Sequence, residues 1–142
     1  MESKNATITV QTSIKADMNT VRELRTNPKH ITNWNFATKE WCCPAATNVL
    51  KPGGVFCWRM EAKDGSVGFD FTGAYDKVIE KELITYKMSY GRLVKINFLE
   101  NGNESIVKET FNIEGIYANE QQRAGWQAIL ENFKTYVEST KQ

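Results

Sequence analysis

In the run IVKETF, residues 106 to 111, strand alternation puts Val107, Glu109 and Phe111 on one side, so a carboxylate occupies a position that should be apolar. Burying an ionised carboxylate without partners is costly, and Glu109 is therefore expected to be paired, raised in pKa, or placed at an open rim. Two chemistries are open to it: a structural ion pair, or acid and base work beside a tyrosine hydroxyl. Other reactive groups are sparse. His30, the single histidine, has no acidic or nucleophilic neighbour in sequence and suits a surface or capping role. Cys42 and Cys43 are adjacent and lack a basic neighbour to activate them, so inert thiols are expected. The cysteines have neither CxxC nor Cys/His spacing, and no GxSxG, HExxH, P-loop or GxGxxG occurs. No metal or other cofactor is expected, no catalytic motif is present, and whether the protein is an enzyme stays open.

The stretch FCWRMEAKDGSVGFDFTGAY, residues 56 to 75, crowds aromatic side chains around one turn. Alternation groups Phe56, Trp58 and Met60 on one face, and Phe69, Phe71, Gly73 and Tyr75 on one face of the next strand. Farther on, Ile84, Tyr86, Met88 and Tyr90 share a side, as do Val94, Ile96 and Phe98. A packed core accounts for most such groups, since each contributes about 1.5–3 kcal/mol on burial. The tyrosines and tryptophans also carry polar atoms that need partners when buried, which points to the lining of a cavity. Gly73 fits a bend, a close approach or a bulge equally well.

These residues need elements to position them. ATITVQTSI, residues 6 to 14, alternates Ile8, Val10, Thr12 and Ile14 as a half-buried strand. Asp17 is placed to cap a helix carrying Met18, Val21 and Leu24, and Pro28 begins a second short helix. Residues 33 to 47 lack a period and are expected to form an ordered loop. From Asn48 onward, strands alternate with short Gly, Asn and Asp turns, the pattern of an antiparallel meander. Near the C-terminus, Trp126, Ile129, Leu130, Phe133 and Val137 follow helical spacing, behind a capping box expected from Asn119 and Gln122. Gln127, Glu131, Lys134 and Glu138, on the opposite side, are expected in water.

The 142 residues suit one α+β domain, with a curved antiparallel sheet of about six or seven strands around the long C-terminal helix and two short helices after the first strand. Lys plus Arg number 18 against 17 Asp plus Glu, scattered along the chain, which argues against a nucleic-acid partner. No segment approaches the ~18 apolar residues of a membrane span. The first twenty residues contain no apolar h-region, so no secretory signal is expected, and the three cysteines, an odd set, suit a reducing cytoplasm.

In order along the chain, WN, W, PGG, MEAKDGS, GFDF and QRAGWQ resemble the activator of heat-shock protein 90 ATPase homologue family of the START-like (SRPBCC) superfamily. The resemblance runs from the first strand to Glu138 and implies a helix-grip fold with a deep cavity for hydrophobic or amphipathic small molecules. It also implies that Trp34, Asn35 and Trp41 stand at the cavity mouth. Phe56, Trp58, Met60, Phe69, Phe71 and Tyr75 would then line the sheet, with Gln122 and Trp126 on the helix. The leading expectation is binding of a lipid or aromatic metabolite between sheet and helix. A cyclase, aromatase or hydrolase using Glu109 and pocket tyrosines is the alternative. Third comes a co-chaperone or protein-interaction role, after the family's name, and a homodimer is possible.

Overall fold

The computed structural model describes residues 6–89, 91–113 and 118–140. Strand β1 (Thr7–Ile14) is followed by helices α1 (Met18–Thr26) and α2 (Pro28–Ile31). Strands β2 (Trp41–Asn48), β3 (Val55–Ala62), β4 (Gly68–Ile79), β5 (Leu83–Met88), β6 (Leu93–Asn101) and β7 (Glu104–Asn112) then form a meander, and α3 (Asn119–Thr140) closes the chain. All pairings are antiparallel, in the order β1-β7-β6-β5-β4-β3-β2.

Alternation predicts the inner face well. Ile8, Val10, Thr12 and Ile14 are buried on β1, Phe56, Trp58 and Met60 on β3, and Val94, Ile96 and Phe98 on β6. On β4 the register shifts between Tyr75 and Lys77, so the inward positions pass from Tyr75 to Val78, which packs against the core. Gly73 is the close approach: a Cβ there would lie 2.5 Å from the Lys87 carbonyl oxygen and 2.6 Å from Phe56 Cζ. At the β3–β4 turn Gly65 has φ +81°, a conformation that L side chains rarely adopt.

Residues 41 to 47 are not loop. They belong to β2, paired with β3 from Trp41↔Ala62 to Asn48↔Phe56, with a register shift between Cys42 and Ala45. Pro44 sits in that irregularity on an edge strand, where its missing N–H costs no ladder bond, and the shift erases the alternation a sequence reading needs.

The helix ends also differ in detail from expectation. Asp17 holds the N-cap position of α1, but its carboxylate accepts from the Thr20 hydroxyl at 2.6 Å and makes no side-chain cap bond. Asn27 does cap α2, accepting from the Lys29 amide at 2.9 Å. In α3, Asn119 is already helical; the Ala118 carbonyl accepts from the Gln122 amide, and Gln122 Oε1 accepts from Arg92 Nη2 at 2.8 Å.

The polar side of α3 is not simply solvated, because it lies along the open edge of β1. Arg123 Nη1, Gln127 Nε2 and Lys134 Nζ donate to the carbonyls of Thr9, Gln11 and Ser13 at 3.2, 3.2 and 2.6 Å, while Glu138 Oε2 accepts from the Lys15 amide at 2.9 Å. An unpaired strand edge is a template for association, and here the helix satisfies it. The apolar side carries Leu130, Phe133 and Val137 into the core, with Trp126 and Ile129 half-buried beside them.

Candidate functional site

The inner face of the sheet presents one continuous set of rings. Phe56 stacks on Trp58 at 4.2 Å between centroids, and Tyr86 meets Phe56, Trp58 and Tyr75 edge-on at 5.0, 5.9 and 5.9 Å. Phe71, half-buried, meets Trp58 edge-on at 5.9 Å, and Met88 is buried on β5. At the outer end of this set Phe69 is 47% exposed, 6.0 Å from the half-buried ring of Trp41. Phe69, Asp70, Phe71, Thr72 and Ser89 border a rim hollow of about 440 Å³. Tyr90 lies outside the described residues.

The segment after α2 packs inward. Trp34 is buried, donates from Nε1 to the Leu24 carbonyl at 3.0 Å and packs edge-on against Phe133 at 4.8 Å. Asn35 is also buried, with Nδ2 at 3.8 Å from Met60 Sδ and 4.0 Å from Cys43 Sγ. Both residues thus tie the α2–β2 segment to the core rather than projecting into open space.

Glu109 is buried and bound to a cation. Its Oε2 accepts from Arg25 Nη2 at 2.9 Å, with the two side chains only 6% and 8% exposed. Burial works against the Arg25 charge, but the Glu109 carboxylate and the neighbouring tyrosines outweigh it and raise the guanidinium above its ordinary value. The guanidinium also lies 5.0 Å from the centre of the Trp34 ring. Burial raises the Tyr86 phenol, and pushes Tyr75 up to about 12. The Tyr75 hydroxyl donates to Asn48 Oδ1, and Asn48 Nδ2 donates to the Thr26 carbonyl at 2.7 Å. Of the paired, raised and rim-exposed options for Glu109, the geometry selects pairing.

Arg25 was absent from the sequence reading although its position marks it. It stands seven residues after Met18 and four after Val21, on the apolar stripe of α1. Arg92 is a second such case, sharing even-numbered parity with Val94, Ile96 and Phe98 on β6. It is buried, donates to the Asn112 carbonyl and to Gln122, and lies 5.0 and 5.3 Å from the ring centres of Phe111 and Trp126. Those two rings stack at 4.0 Å. Beside them opens a cavity of about 330 Å³ between α3 and the loop after α2, lined by Ala37, Arg92, Gln121, Gln122, Gly125, Trp126 and Ile129.

A larger hollow, about 730 Å³, lies on the other face of the sheet, among Lys77, Thr85, Lys87, Leu93, Lys95 and Thr110. It lies on the outward-facing side of the sheet, and most of its lining surface is apolar, with Leu93, Val94, Tyr75 and Tyr86 beside the lysines and threonines. The smaller cavity sets the apolar surface of Trp126 and Ile129 beside the polar side chains of Gln122 and Arg92, a combination that suits an amphipathic molecule.

His30 bridges two helices instead of capping one: Nδ1 is 2.7 Å from the Tyr136 hydroxyl on α3. The three cysteines are free, and burial pushes Cys43 up to about 11. No described helix is long and apolar enough to cross a membrane.

A curled antiparallel sheet closed by one long C-terminal helix is the helix-grip arrangement of START-like proteins, a fold commonly used for ligand binding. Residues 15–138 match the family model described as activator of Hsp90 ATPase homolog 1-like protein, and the chain belongs to that family. It is similar to the AHSA1-like protein of Aeromonas hydrophila, with 38% identity, a TM-score of 0.89, and 94% of this chain and 93% of that one covered. It is also similar to a protein of Cytophaga hutchinsonii, with 44% identity, a TM-score of 0.82, and coverage of 93% and 92%. A protein of Chromobacterium violaceum shares the fold at 18% identity, a TM-score of 0.83, and coverage of 94% and 98%. A comparison with curated proteins found no match.

Proposed function

We propose that this protein binds a small hydrophobic or amphipathic molecule, a lipid or an aromatic metabolite, between the sheet and α3. The observation that carries the proposal is the cavity of about 330 Å³ beside Trp126, whose lining joins apolar surface to the polar atoms of Gln122 and Arg92. Small-molecule sites commonly begin near ~300 Å³ and combine such walls with a few polar anchors. Family membership supports the same reading. Glu109 serves as the internal counter-ion of Arg25, a pairing that supports the fold rather than acid or base chemistry.

The test is thermal denaturation against a panel of fatty acids and aromatic compounds. A ligand at 100 times its Kd adds about 2.7 kcal/mol to stability and raises Tm accordingly. Trp126→Ala removes one wall and should abolish the shift without preventing folding. A panel that shifts neither protein, or shifts both equally, contradicts the proposal.

A further inference from the structure

Among the described glycines, Gly125 alone has no reason inside the protein to be glycine. The others either hold a positive φ or stand where a Cβ would meet protein atoms at less than 3 Å. Gly125 lies well inside α3, its φ is not positive, and a Cβ there would meet nothing within 4 Å. Glycine is the poorest residue after proline for a helix interior, because it gives up the most backbone freedom on folding. Alanine would fit the same backbone and strengthen the helix, so packing within the protein does not account for the missing side chain.

The space in front of Gly125 does account for it. Gly125 lines the cavity of about 330 Å³, on the same stripe of α3 as Gln122, Trp126 and Ile129. Helical side chains lean back toward the N-terminus, so a side chain at 125 would cover the turn that carries Gln121 and Gln122. Its absence opens a notch in the helix wall, joining the apolar surface of Trp126 and Ile129 to the polar groups of Gln122 and Arg92. Phe111 already stacks on one face of the Trp126 ring at 4.0 Å, so an entering molecule meets the rest of that ring beside the notch. The depth gained is that of a methyl group. A flat ring can use it across its whole face, whereas a puckered or branched skeleton, with hydrogens above and below its mean plane, is held off the helix.

We infer that the molecule held by this protein is a flat, unsaturated ring with a polar substituent, its face in van der Waals contact with the α3 backbone at Gly125. The inference rests on the binding function proposed above and specifies its ligand class, an aromatic metabolite in preference to a lipid. Gly125 is then a specificity residue, separating flat rings from saturated ones of the same outline.

Two ketones test it: 1-indanone and its ring-saturated counterpart hexahydroindan-1-one, which share a skeleton and a carbonyl and differ in thickness. Binding of each to the wild type, Gly125→Ala and Trp126→Ala is measured by calorimetry, and the Tm of each ligand-free protein by circular dichroism. The wild type should bind 1-indanone at least about fivefold more tightly than the saturated ketone. Gly125→Ala should raise Tm by roughly 2–4 °C and yet weaken 1-indanone about five- to tenfold, so that stability and affinity move in opposite directions. A Gly125→Ala protein that gains stability and keeps its affinity overturns the inference, and leaves the binding function standing if Trp126→Ala still loses the ligand. Equal affinities of the wild type for the two ketones overturn the requirement for flatness. A lower Tm for Gly125→Ala overturns the premise that the notch is free of protein. Neither ketone nor any compound of the panel above binding to the wild type overturns the binding function itself.

Discussion

Replacing Glu109 by Gln keeps the shape of the side chain and deletes its charge, which isolates what the ion pair with Arg25 does. Both side chains are more than nine-tenths buried, their atoms approach to 2.9 Å, and Arg25 Nε has no other partner. Glu109→Gln therefore strands a guanidinium in a dry interior, a change that costs about 3–5 kcal/mol. Gln can still accept one hydrogen bond, so the lower end of that range applies. For a domain of this size, about 4 °C of Tm is lost per kcal/mol, which predicts a fall of roughly 12 °C. The double variant Arg25→Met with Glu109→Leu removes both charges and should recover most of the loss, since apolar replacements of buried pairs are often neutral or better. The assay is a double-mutant cycle by urea and thermal denaturation, read by circular dichroism. A Glu109→Gln protein with unchanged Tm would refute the reasoning, because it would mean that water reaches the pair and that the interior beneath α1 is not dry.

Three further outcomes follow from the same geometry. Gly73→Ala must push against the Lys87 carbonyl at 2.5 Å and Phe56 Cζ at 2.6 Å, and should cost about 1–3 kcal/mol in chemical denaturation; a neutral result would show that the β4–β5 approach is looser than described. Burial raises Tyr75 from 10.0 to about 12, so the folded state prefers the protonated phenol: stability should be level below pH ~10 and fall as pH climbs from there toward 12. Tyr75→Phe should flatten that decline, and an identical pH profile in the variant would contradict the assignment. Cys43, buried and raised to about 11, should be the last of the three thiols to react with iodoacetamide at pH 8, as measured by peptide mass mapping; early labelling would place it at the surface.

Period carries much of this fold into the sequence. β1 and β7 alternate along their whole length and β3 and β6 over the part that faces the core, so their inward residues can be read directly, and the apolar spacing of α3 is equally plain. β2 was illegible because its register shift beside Pro44 breaks the alternation that identifies a strand. The polar stripe of α3 looked like a solvated surface because sequence does not reveal that β1 lies at an open edge needing donors for its carbonyls. Glu109 was recognisable as a buried acid from parity alone. Its partner was recognisable too, as a cation on the apolar stripe of α1, but the pairing joins residues 84 apart in sequence, a contact that only the fold brings about. The same holds for Arg92 and Gln122, which meet across the mouth of the cavity.

The central claim is that a small apolar molecule goes inside, beside α3, and not into the larger hollow on the sheet's outer face. Chemical-shift mapping with 1-indanone decides between them in one titration. The account predicts that the Trp126 indole, the Ile129 methyls and the Gln122 side-chain amide move together while Leu93, Thr85 and Thr110 stay still. Shifts confined to Leu93, Thr85 and Thr110 would contradict it and move the binding site to the opposite side of the sheet.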